Sequence, residues 1–325
     1  MMRIRSFAVS CGIAILSASV ALSAPAQADD VALAVTVQPT KTQAPLLGIH
    51  FHSAKMGWAV GPGGTILKTV DGGKRWQKIT GVPSILLTNV FFLNDKQGWV
   101  IGANGTIRMT RDSGASWVPQ PIDTQAALYG ITFASPKLGW IVGGNGTILH
   151  TDDGGATWSQ QVSTTNAVLY SVHFVSEQHG VAVGAVGTVL VTDDGGATWS
   201  AREMQGYVTL FDVAFSDQSN GWAVGNAGAL FQTTDGGMNW IDHTLPCGRT
   251  CTKLTDLLHI RFTDSQTGWI VGERGMVYRT SDAGFTWQEH GSIAKVSLYS
   301  LTFPEPTQAW ASGEKGTIVH LSLKR

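Results

Sequence analysis

The residues of this chain best suited to chemistry are carboxylates. Six aspartates, Asp71, Asp112, Asp153, Asp194, Asp235 and Asp282, each follow a threonine by two positions and precede a glycine by two. Regularly placed carboxylates could ligate a metal or work as acids and bases. Three further acids, Asp212, Glu273 and Glu314, fall outside that pattern. A glycosidase needs two carboxylates facing each other across a cleft, and the spacing marks no such pair here. The nine histidines are scattered and no serine sits in a nucleophile elbow. The Gly-x-x-Gly stretches, such as Gly143 to Gly146, recur in every copy of a repeat. That recurrence identifies them as turns rather than phosphate cradles. No catalytic residue, metal site or cofactor is expected.

The elements that would position these groups come from the repeat. Trp76, Trp117, Trp158, Trp199 and Trp240 are 41 residues apart, and Trp287 follows after 47. A second series, Gly57-Trp58 through Ala309-Trp310, gives seven copies. Each copy contains four short runs rich in β-branched and aromatic residues, separated by Gly, Asp, Ser and Pro, with no helical period. Four strands repeated seven times predict an all-β fold, a seven-bladed β-propeller of four-stranded antiparallel blades. Leucine (Leu46 to Leu298) and phenylalanine (Phe51 to Phe303) columns on the first strand are core. The seventh copy lacks its fourth strand, and Val31 to Val37 is a spare β-like run. This N-terminal strand should close the last blade.

The Thr-x-Asp-x-Gly turns, each with a tryptophan three residues on, resemble the Asp-box or BNR repeat; Thr151 to Trp158 and Thr280 to Trp287 match it throughout. In that repeat the box is a structural hairpin turn, with the aspartate bonding its own backbone. Separate blades would also hold the six aspartates far apart. The longer unit in Gly57 to Trp76 and Gly139 to Trp158 resembles the photosystem II stability/assembly factor family of propellers, over about residues 44 to 322. The resemblance implies an assembly or stability factor that binds a newly made membrane subunit. The alternative from the same box is a glycan-binding or glycoside-hydrolase propeller of sialidase type. Such a site would need an arginine cluster for the sugar carboxylate and a Tyr/Glu pair, and no Arg-Ile-Pro motif is present.

Composition bounds the rest. Hydrophobic residues at 43% against 14% charged permit a sizeable core, and a net charge of −1 without polybasic runs argues against nucleic-acid binding. Arg3, Arg5, an apolar run from Phe7 to Leu22 and Ala26-Gln27-Ala28 read as an export signal. The expected organisation is a signal peptide at 1–28, closing strand and linker at 29–43, and the propeller at 44–325, located in the periplasm or secreted. In an oxidising compartment Cys247 and Cys251 would form a local disulfide. The expected partner is another protein of the envelope or membrane, bound by a monomer.

Departures from the repeat suggest where that partner docks. The long insertion, carrying Arg249, falls between copies five and six. Arg261, Glu273 and Arg274 follow it, and Lys315, Arg202 and Tyr207 lie in the same sets of between-blade loops and turns between second and third strands. Arginine pairs with carboxylates and is favoured at interfaces. The Asp-box turns belong to the opposite face by strand count.

Overall fold

The computed structural model describes residues 32–202, 204, 206–244 and 255–323. The proposed signal segment and Cys247, Arg249 and Cys251 lie outside them. The described chain forms seven antiparallel sheets of four strands each. In blade one the order is β2 (Gly48–Phe51), β3 (Gly57–Gly61), β4 (Thr65–Thr69) and β5 (Gln77–Ile79). The other copies repeat it. The N-terminal strand β1 (Leu33–Gln38) pairs antiparallel with the final strand, Ile318–Leu323, from Leu33↔Leu323 to Gln38↔Ile318. The last blade therefore takes its outer strand from the other end of the chain, as the sequence requires.

The second strand of blades one to six is buried along its whole length, which explains its unbroken apolar sequence. Against the first strands of blades one to four, the tryptophan of the preceding blade's second strand lies on the phenylalanine. Trp58 stacks on Phe92 with ring centroids 3.4 Å apart, and Trp140 on Phe174 at 3.5 Å. The Asp-box tryptophan then meets the same phenylalanine edge-on: Trp117 against Phe92 at 84°, Trp199 against Phe174 at 87°. Such aromatic contacts add about 0.5–1.5 kcal/mol each beyond area burial. The indole of Trp58 also donates to Ser113 O, that of Trp140 to Gly195 O and that of Trp222 to Ala283 O, each in the Asp-box turn of the next blade.

The two faces are distinct. Backbone N–H groups of the Asp-box turns donate to the turns between first and second strands, Gly72 to Lys55 O and Gly154 to Lys137 O among them. The turns between second and third strands instead bond the between-blade loops, as in Gly105 to Ala126 O and Glu273 to Asp256 O.

Candidate functional site

Each Asp-box carboxylate is engaged by its own turn. Thr151 Oγ1 donates to Asp153 Oδ1 and accepts from Gly155 N, while Thr157 donates from both its backbone and its hydroxyl to Asp153. The Thr157 backbone and hydroxyl bonds, then that from Thr151, hold the Asp153 carboxyl down at about 2. Ser116 does the same for Asp112, again at about 2. No cluster of three or more metal-ligating side chains exists among the described residues.

The central channel is lined by first strands. In blades two to seven the ladder slips by one residue after the leucine column, for instance between Leu169 and Ser171. A β-bulge re-aims side chains, and here it turns two successive positions into the channel. Thr88, Tyr129, Tyr170, Phe211, Leu258 and Tyr299 form one tier, with Asn89, Gly130, Ser171, Asp212, His259 and Ser300 in the next. The aromatic members touch in series: Tyr129 to Tyr170 at 5.3 Å, Tyr170 to Phe211 at 5.8 Å. They leave a cavity of about 130 Å³. Sequence reading missed this aromatic tier. Its signal is a column of large residues directly after the invariant leucine, where simple alternation would also have aimed side chains away from the core.

Asp212, 3% exposed, anchors the polar tier. Ser171 Oγ donates to its Oδ1 at 2.5 Å and the Ile260 N–H to Oδ2 at 2.9 Å. Arg261 Nη1 lies 3.4 Å and His259 Nδ1 3.6 Å from Oδ2. Burial pushes the carboxyl up, but these charges and hydrogen bonds outweigh it and leave it lowered. Burial drives His259 down to about 4 and is joined in that by the Arg261 charge, so the imidazole is neutral at pH 7 and Arg261 is the standing counter-ion. A general acid for glycoside cleavage needs the opposite, a raised carboxyl.

The arginines part company here. Arg261 pairs in register with Trp269, at the far end of its strand from the Glu273–Gly275 turn, and faces the channel. Arg202 turns its guanidinium onto Met238 Sδ in the next blade. Glu273, Arg274 and Lys315 stay on the loop face, and Tyr207, in a between-blade loop on it, is 90% exposed. Arg274 and Lys315 occupy one slot in the turn between second and third strands, shared by Asn104, Asn145, Val186 and Ala227, all at φ of 53–57°. All six are exposed. A positive φ is unfavourable for non-glycine residues, most of all for β-branched Val186. Glu314 accepts from Tyr299 Oη, and burial followed by the Glu314 charge pushes that phenol up to about 12.

Bulged channel strands, Asp-box hinges and a crown of variable turn tips define a protein of the Asp-box propeller class. Within that class, the sequence matches the family described as photosynthesis system II assembly factor YCF48 over residues 27–117, 109–165, 160–208, 206–288 and 249–322, and the chain belongs to it. No curated protein matches. Among solved structures it is similar to YCF48 bound to D1 peptide (23% identity, TM-score 0.74, covering 90% of this chain and 97% of that one). It is also similar to YCF48 from Cyanidioschyzon merolae (22%, 0.73, 89% and 98%). A streptogramin B lyase superposes equally well at 14% identity (0.74, 90% and 98%). At these identities the likeness is one of fold.

Proposed function

We propose that this propeller is a non-catalytic binding factor that holds a segment of an envelope or membrane protein while a larger complex is assembled. The observation that carries the reading is membership of the YCF48 assembly-factor family along the whole propeller; one solved relative is a complex with a peptide. Docking takes place on the face of the between-blade loops, through Tyr207, Glu273, Arg274 and Lys315, with Arg202 beside them; Arg249, outside the described residues, belongs to the same proposed set. The protein works as a monomer outside the cytoplasm, after loss of residues 1–28, with Cys247 and Cys251 joined. The ionised, fully bonded Asp212 supports a binding rather than a hydrolytic role.

The test is photo-crosslinking in the native host from Tyr207 and Lys315, with mass spectrometry of the adduct. One membrane or envelope protein should be trapped, and its complex should fall in a deletion strain. No adduct from either position, together with hydrolysis of a polysaccharide by the purified protein, would overturn the reading.

A further inference from the structure

The charges of this nearly neutral chain are strongly segregated. Residues 41–122, the first two blades, contain nine lysines and arginines against three aspartates; residues 123–244, the next three, contain two against eleven acids. The positive side has a groove. It encloses about 840 Å³ along the outer edge of blade one, bounded by the Pro39 and Lys41 segment and the Ala115 turn of blade two. Lys41, Lys68, Lys74, Arg75 and Lys78 line it, with Asp71 as its one acid.

Three features separate this groove from a solvated basic surface. First, its charges are not neutralised within the protein. Of the groove's five cations only Arg75 has a carboxylate of the described residues within 4.0 Å, that of Asp71, and the Arg75 side chain is 92% exposed. Second, the floor is apolar: Val70, 62% exposed, lies with Trp76 and the half-buried Ile79 between the cations. Third, the fold does not require these residues. The Lys74 position is Ala115, Ala156, Ala197, Met238 and Phe285 in the other boxes, and the Lys78 position is Pro119, Gln160, Ala201, Asp242 and Glu289. Blades two to six make the same turn and outer strand without a cation at either position.

We infer that this groove is a second docking site, separate from the loop face, for an extended acidic segment of a partner protein with apolar side chains among its carboxylates. Charge complementarity selects acids, and the Val70–Trp76–Ile79 floor selects a chain that can alternate them with apolar groups, as an extended strand does. Among the described residues the outer edge of β5 has no neighbouring strand in its sheet, so backbone pairing is open to such a segment. A membrane surface would reach the rim cations but not a concave apolar floor.

The probe is a short labelled peptide alternating Glu with Leu, added to the purified chain and followed by fluorescence anisotropy. It should bind, weaken as salt is raised past a Debye length of about 10 Å at roughly 0.1 M, and weaken when its Leu residues become Ser. The triple variant Lys74→Glu, Arg75→Glu, Lys78→Glu should bind about tenfold or more less tightly with an unchanged melting temperature. Lys74→Gln, Lys78→Gln gives a milder loss should the triple variant misfold, and Lys137→Glu on blade three should have no effect. Equal binding by the triple variant, equal binding of a Gln-for-Glu peptide, preference for phosphatidylglycerol vesicles, or a groove already occupied by a second copy in sedimentation would each overturn the inference. Crosslinking from Tyr207 and Lys315 is independent of all these readouts, so the two proposals fail separately.

Discussion

In blades one to four the box tryptophan holds a phenylalanine edge-on, and the preceding blade's tryptophan covers that phenylalanine's face, so the site must stay free of side-chain clutter. The glycine opening the second strand provides the room. A Cβ built on Gly98 would lie 2.6 Å from the Phe92 ring, and one on Gly57 2.6 Å from Phe51. Blade seven supplies the internal comparison. There Ala309 replaces the glycine, and Phe303 sits tilted at 40° and 6.0 Å from Trp269 instead of stacking. Gly98→Ala should therefore displace Phe92 from Trp58 and destabilise by about 1–3 kcal/mol, the range for overpacking a filled core. Equilibrium urea unfolding measures this. Ala309→Gly, where the ring has already moved, should change stability much less, and equal losses at the two sites would refute the packing argument.

At the scale of elements, β1 is the piece without a repeat to dictate it. Its outward side chains are exposed, Val37 at 60% and Val35 at 39%. Leu33 packs with Leu323 against the last blade's core, and Thr40 Oγ1 bonds Gly316 O just after the strand. A chain starting at Thr40 loses six paired residues and leaves the final strand as an open edge. It should melt at a lower temperature and aggregate sooner in thermal scans with light scattering; melting like the longer chain would show that closure contributes little. The blades and the Asp-boxes were legible in the sequence because each leaves a column at a fixed period, and the closure because the seventh copy lacks its fourth strand while Val31 to Val37 is a spare β-like run. The channel tier was not, because a bulge breaks the alternation that tells inward from outward residues. Nor was the company Arg261 keeps: it shares the channel with Asp212 of blade five and influences His50 and His173 of blades one and four, residues brought together only when the ring closes. The cations of blade one could have been found by counting charge per repeat rather than over the whole chain.

For the whole molecule, closing the ring buries three imidazoles in one narrow channel, while the Asp-box turns hold six depressed carboxyls on one face, so stability should depend on pH in two windows. Burial, first, with the His52 and Arg261 charges, holds His50 at about 3. Burial and the Arg261 charge hold His173 at about 4 against the opposing pull of Asp212, and His259 is likewise at about 4. Each imidazole keeps some exposed surface, but the channel walls remove most of its hydration. The unfolded chain titrates these groups near 6.5, so between about 6.5 and about 4, and down to about 3 for His50, it binds protons that the folded chain does not. Stability is complete above that window and falls as pH drops through it. The Asp-box carboxyls act lower down. Asp112 and Asp153, at about 2 folded against 3.8 as reference, contribute stability that is present above about 4 and lost as pH falls toward 2. Melting temperature recorded from pH 8 to pH 2 should therefore fall in two stages, and His50→Gln with His173→Gln should flatten the upper stage while leaving the lower one in place. A single fall confined below pH 4 would mean that the channel histidines are solvated, and that the first strands do not close around them.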